Sequence, residues 1–423
     1  MIKKVQDLID NSVLTIGDGY RAKNSELSKS GIPFLRVGNI KEGFDFSNVD
    51  YFPTGNLHKV RNKVSKLGDV VFTSKGTVGK VFQVQEDTPD FVYSPQLCYW
   101  RVLNNSILLP EYLYYWLQSK QFKEQVDAVK GQTDMADYVS LADQRRMNIS
   151  IPEISIQNAI IKILGVIDEK IKLNRQINRN LENLSMSLYK YWFVDYGPFE
   201  GGEFIESELG MIPQGWNVKS LKELTSKFCT GLNPRKNFKL GQGNNFYVTI
   251  KNLRDNELFL DEKCDKVDDE AIKVINRRSD LQKGDLLFSG IGTIGRVYFI
   301  DEEPTNWNIS ESIFTLRSNS SVTEELLYMI LLSPNLQDYA QSSASGSVQK
   351  GVRKRDLENY KIALPNKKLI DTFTNTVSQY IDLIKANEKE IEKLKNVREY
   401  LLPSLLSGDV DVTKVEILLE EAL

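Results

Sequence analysis

The sequence predicts an α+β protein built from two tandem globular units, each followed by a long amphipathic helix. Three observations predict it: an internal repeat, strand-like runs bounded by glycine and aspartate inside each copy, and an apolar stripe at helical spacing after each copy. The repeat is plainest where GDVVFTSKGTVGKVF (68–82) meets GDLLFSGIGTIGRVY (284–298), with seven identities in fifteen positions at an offset of 216 residues. FLRVGNI (34–40) parallels YVTIKNL (247–253), SPQLCYWR (94–101) parallels SESIFTLR (310–317), and ISIP (149–152) parallels IALP (362–365), all in the same order.

Within each copy, VVFTS, KVFQV, LCYWRV, LLFSG, RVYFI and IFTL carry the β-branched and aromatic residues that favour a pleated, half-buried surface, so they read as strands. LPEYLYYWLQSKQFKEQV (109–126) and VTEELLYMILLSPNLQDYA (322–340) read as one helix each.

After Pro152, the residues Ile160, Leu164, Ile167, Ile171, Leu181 and Leu188 fall on 3/4 spacing, with Asn174, Asn178 and Ser185 on the same stripe. After Pro365 the stripe is Phe373, Val377, Tyr380, Ile384, Ile391, Leu394 and Leu401, with Asn387 matching Asn174. Ser155 and Asn366 are the expected N-caps. Two such helices in one chain can bury their seams as a coiled coil, and a duplicated unit closed on itself generates a pseudo-two-fold axis that makes the pair antiparallel. The seam asparagines either set register or sit exposed at a loose point.

Composition narrows the function classes. A chain of 423 residues is too long for one compact core, and 41% hydrophobic with 26% charged residues is ordinary for a folded protein. No run of about 18 uncharged apolar residues occurs and MIKKVQDLID has no apolar leader, so the cytoplasm is expected and a membrane is not. Cys98, Cys229 and Cys264 form no metal knuckle and His58 is the sole histidine, which speaks against a metal site and against histidine catalysis. The net charge of −3 is neutral evidence on nucleic acid, because DNA responds to where cations lie; residues 1–152 carry 19 Lys/Arg against 17 Asp/Glu.

Two motifs suggest cofactors and fail on context. Gly290 to Gly295 fits GxGxxG, but a dinucleotide site needs a helix after that loop and the strand-like RVYFI follows, so a hairpin is expected. Asp195-Tyr196-Gly197-Pro198-Phe199 has one proline and no glycine-rich turn upstream, which suits a linker turn better than a methyltransferase motif. No catalytic residue is assigned. The aromatic cluster Tyr189, Tyr191, Trp192 and Phe193 is expected to pack against the second helix, with a docking surface for a partner as the alternative.

The order GIPFLRVGNI, GDVVFT, GTVGK, then IP, a long helix and YWFVDYGPF resembles the specificity subunit of type I restriction-modification enzymes. In the second half GMIPQGW (210–216) resembles the usual entry to a target-recognition domain, and LLPSLLSG (401–408) the end of the distal helix; the first half instead begins directly at MIKKVQDL. The resemblance implies target-recognition domains at 1–153 and 198–366, a central conserved helix at 154–197, a distal conserved helix at 367–410, and a tail at 411–423. It implies that each domain reads one half of a split site in double-stranded DNA, and that the helices set the spacing and dock two methyltransferase subunits. Restriction subunits would join through that complex. The chain itself would be non-catalytic and hold no cofactor, with S-adenosylmethionine, ATP and magnesium on the partners.

Cations and amides set among glycines and aromatics are the candidate DNA contacts, since Arg and Lys suit guanine edges or phosphates and Gln suits adenine. In the first half these are Arg21, Lys23, Arg36, Lys41, Lys75, Lys80, Lys130 and Gln132. In the second they are Arg235, Lys236, Lys251, Arg254, Arg296, Gln349, Lys350 and Arg353.

Overall fold

The computed structural model describes residues 1–408 apart from Glu42, 131–136, Lys236, 255–256 and 347–349. Contacts divide the chain into two units, 1–173 with the residues from 390 onward, and 174–389.

The first unit holds a four-stranded antiparallel sheet in the order Leu14–Asp18, Leu97–Val102, Val70–Thr73, Val81–Gln83. A three-stranded sheet accompanies it, with Ile32–Leu35 between Asp50–Phe52 (antiparallel) and Val92–Tyr93 (parallel). The second unit repeats both sheets in the same order: Thr225–Thr230, Ile313–Ser318, Leu286–Ser289, Val297–Phe299, and then Asn245–Val248 between Asp265–Val267 and Trp307–Ile309. All six strand-like runs lie in these sheets. The N-terminus also follows the repeat, because Ile2–Lys4 pairs with Asn148–Ser150 as Asn217–Ser220 pairs with Lys361–Leu364.

Where one helix is expected at 109–126 there are two, Pro110–Trp116 and Lys120–Val129, and the second unit likewise has Glu324–Leu332 and Pro334–Ser342. Serine causes both breaks. Ser119 and Ser333 take extended backbone and accept the amide protons of Phe122 and Leu336, and Pro334 then starts a fresh helix where its missing N–H costs nothing.

The long helices are Ile154–Phe193 and Lys367–Ser407. Asn366 caps the second through Leu369 N–H at 3.2 Å, as expected, but the first starts one residue before Ser155, which is therefore not its cap. In the first unit Ile160, Ile163 and Leu164 join the core of Trp100, Trp116 and Phe122, and Ile167 and Ile171 meet Ile391. Arg398 pairs with Asp168 at 2.6 Å, whose other oxygen accepts from Tyr115. In the second unit Phe193 packs edge-on against Phe373 at 4.8 Å, with Tyr189 and Val377 in the same core. Within each unit the facing residue numbers fall on one helix as they rise on the other, so the two stretches run antiparallel.

The polar seam residues are not exposed. Asn174, Asn178, Ser185 and Asn387 are all buried, and Asn387 Nδ2 donates to Asn178 Oδ1 at 2.7 Å while Asn178 Nδ2 donates to the Ile384 carbonyl at 3.3 Å. Asn387 thus pairs with Asn178 rather than with its repeat mate Asn174, because antiparallel packing opposes residues by register and not by repeat position. Asn387→Leu should cost about 1–3 kcal/mol by stranding the Asn178 amide, while Asn178→Leu with Asn387→Leu should recover most of it. Urea midpoints of the three variants check this; a double variant weaker than either single would refute the pairing.

Candidate nucleic-acid interface

The repeated GD motif anchors each sheet. Asp69, 0% exposed, receives Arg101 through Nε and Nη2 at 2.6 and 2.7 Å, the Tyr93 hydroxyl at 2.7 Å and the Lys66 amide at 2.9 Å. Burial, and then the Asp69 charge, push the Tyr93 hydroxyl well above its ordinary value. Asp285 does the same work with Arg317 at 2.6 and 2.9 Å and the Gln282 amide at 2.9 Å. These carboxylates belong to the frame and not to a reactive centre.

The glycine motif that follows is a hairpin loop, joining antiparallel strands in both units, with Gly76, Gly79, Gly292 and Gly295 all at positive φ where a side chain would be strained. The dinucleotide reading is thereby excluded. A second close approach lies at Gly19, where a Cβ would stand 2.1 Å from the Ser94 carbonyl oxygen; at Gly231 it would stand 1.8 Å from that of Ile309. Only glycine lets the next residues cross the strand ends, and in the first unit that crossing carries Arg21.

The candidate residues divide by what they touch. Arg21, Arg36 and Lys75 converge on one concavity of about 270 Å³ in the first unit, together with Asn24, Ser94 and Gln96. Arg36 also pairs with Asp50 at 2.6 Å and lies over the Phe34 ring. Lys23 is exposed nearby, Lys41 is exposed and paired with Asp45 at 2.5 Å, and Lys130 is paired with Asp127 at 2.5 Å. Lys80 turns inward instead, its ammonium donating to the Ile40 carbonyl at 2.7 Å.

In the second unit Arg296 likewise turns inward, onto the carbonyls of Ile250, at 2.8 Å, and Leu253. Arg235, Lys251, Lys350 and Arg353 are exposed, and Arg254 is exposed with its Nε on the Lys251 carbonyl at 3.0 Å. Gln132, Lys236 and Gln349 lie outside the described residues. The aromatic cluster packs as expected for Tyr189, Trp192 and Phe193, against Phe373 of the second long helix, whereas Tyr191 is 50% exposed.

Sequence reasoning missed Asn24, Ser94 and Gln96, and in the second unit Asn233 and Glu311, which bond each other at 2.5 Å. A signal for two of them was present. Inside the matched pair SPQLCYWR and SESIFTLR, Pro95-Gln96 stands against Glu311-Ser312, so the frame is kept while its chemistry diverges.

Two segments of the chain, residues 10–183 and 213–396, match the family model for the type I restriction modification DNA specificity domain. The chain is 23% identical over 452 residues to the type I restriction enzyme HindI specificity subunit of Haemophilus influenzae, covering 88% of this chain and 97% of that protein. It is 25% identical over 426 residues to the putative type I restriction enzyme MjaX specificity subunit of Methanocaldococcus jannaschii, covering 97% and 93%. Among solved structures, the S subunit of a type I restriction-modification system from M. genitalium shares the fold, with a TM-score of 0.54 at 14% identity over 96% of this chain and 95% of that one.

Proposed function

The chain belongs to the type I restriction-modification DNA specificity family, and on that premise we propose that its two repeated units each read one half of a split site in double-stranded DNA. The single observation that carries this reading is a duplicated frame with divergent side chains at equivalent positions: Gly38 against Lys251, Pro95 against Glu311, Gln96 against Ser312. Two copies of one scaffold bearing different groups are suited to reading two different half-sequences.

The long helices set the distance between the half-sites and dock two methyltransferase subunits, through which restriction subunits join. Catalysis, and with it S-adenosylmethionine, ATP and magnesium, resides on those partners in the cytoplasm. No helix among the described residues is long and apolar enough to cross a membrane.

The test is a domain exchange. Replacing residues 1–153 with the equivalent domain of another family member should change one half of the methylated sequence, read by mapping methylated adenines, and leave the other half intact. The donor must keep the partners of Gln157, whose side chain accepts from Leu109 N–H and donates to the Ile107 carbonyl, both at 2.9 Å. Change in both halves would show that the units do not read independently.

A further inference from the structure

The concavity in the first unit has the chemistry of an anion site. Arg21 and Lys75 form no ion pair among the described residues, so both bring uncompensated charge; Arg36, beside them, is partly neutralised by Asp50. Ser94 is 2% exposed, and its hydroxyl is buried without a hydrogen-bond partner among the described residues. Ser94 lines the same concavity, and a buried hydroxyl without a partner is unfavourable, so it is a donor held close to the cationic groups. The amides of Asn24 and Gln96 complete the lining.

Shape selects among the acceptors that DNA offers. Base edges are recessed in the grooves and are reached by side chains that project, whereas phosphates stand out from the duplex and fit a recess. A concave site with two unpaired cations and a spare hydroxyl suits the protruding group.

Among the described residues, the second unit does not repeat the three cations Arg21, Arg36 and Lys75 at the equivalent positions. Three structural landmarks fix the equivalence. Arg21 and Asn233 each follow the crossing glycine by two residues; Arg36 and Thr249 each donate a backbone N–H to an asparagine three residues on, at 3.0 Å. Lys75 and Ile291 each form an isolated bridge to the chain that ends the unit, at Tyr138 and Gly351. The three cations are therefore replaced by neutral residues. A carboxylate is also present, Glu311, held by Asn233 at 2.5 Å and by the Tyr247 hydroxyl at 3.1 Å, and it repels an anion.

We propose that the Arg21, Arg36, Lys75 and Ser94 pocket seats one backbone phosphate of the half-site read by the first unit, and that the equivalent place in the second unit seats none. The two half-sites are then held unequally, the first clamped by charge at this point and the second without it. This rests on the DNA-reading function proposed above.

The experiment uses the full chain and a duplex carrying the site found by mapping methylated adenines, with each phosphate in turn replaced by a neutral methylphosphonate. For the wild-type chain, one linkage in the first half-site should lower affinity about tenfold in about 50 mM salt, the counterion-release contribution of one phosphate. In the variant carrying Arg21→Ala and Lys75→Ala that linkage should no longer matter, the salt slope should fall by about one, and the methylated sequence should be unchanged. Arg21→Lys with Lys75→Arg should restore both. Melting temperatures confirm folding, and Lys75→Gln alone, at an exposed position, serves if the double variant unfolds.

A variant that keeps the wild-type slope, or still responds to that methylphosphonate, overturns the proposal. So does a changed methylated sequence, which would make the pocket a base reader. Loss of salt-dependent binding to any duplex by the wild-type chain would instead remove the DNA-reading function itself.

Discussion

Lengthening both long helices by one heptad should abolish methylation at the original spacing of the two half-sites. The insertions belong after Asn178 and before Asn387, which keeps the Asn178–Asn387 pair, at 2.7 Å, on one side of the added segment. Seven residues preserve a 3.5-residue seam and add about 10 Å, or about three base pairs of duplex. Three base pairs also rotate the groove by about 100°, whereas a heptad turns a helix face by only about −20°. A lengthened protein would thus meet the second half-site from the wrong side unless the DNA twists. Residual activity should move to a longer spacer carrying the same two half-sequences. A heptad in one helix alone leaves seven residues without seam partners, so that variant should melt below the double insertion. Methylation by the reconstituted enzyme on a series of spacers is the measurement, and unchanged preference for the original spacer would show that the helices do not set the distance.

Asp69→Ala should be the most damaging single change in the first unit. It removes the acceptor of two Arg101 bonds, the Tyr93 hydroxyl and the Lys66 amide, and leaves a guanidinium whose side chain is 10% exposed without its counter-charge. Breaking a buried pair from one side costs about 3–5 kcal/mol, against a total stability of about 5–15 kcal/mol for a typical protein. We expect an early melting transition assigned to the first unit, with loss of methylation because that half-site is no longer read. Asp285→Ala should be milder, since the Arg317 side chain is 25% exposed and water can take over part of the lost interaction. Asp69→Asn keeps one acceptor and should fall between wild type and Ala. Calorimetry of the three variants decides; an Asp69→Ala transition within about a degree of wild type would show that the pair contributes nothing.

The amino-acid sequence by itself determined the duplicated architecture. Strand runs, the glycine hairpins and the two apolar stripes are local patterns of period 2 and 3.6, and an offset repeated in order needs no knowledge of packing. The serine breaks at Ser119 and Ser333 were equally local signals, overridden in the sequence reading by an apolar periodicity that runs across them. Tertiary structure alone decided what the polar residues do. Lys80 shares a loop with Lys75, and Arg296 holds the place equivalent to Lys80 in the second unit; all three look alike in sequence, yet Lys80 and Arg296 turn inward onto the carbonyls of Ile40, Ile250 and Leu253. Asn387 found Asn178 rather than Asn174 because antiparallel register, a property of two helices together, sets which residues oppose. Arg21, Arg36, Lys75, Ser94 and Gln96 come from four separate stretches of chain, brought to one pocket by a parallel strand pairing and a glycine crossing. Periodicity reports which face of an element is buried; which distant side chains share a site depends on how the elements pack, and no local pattern encodes that.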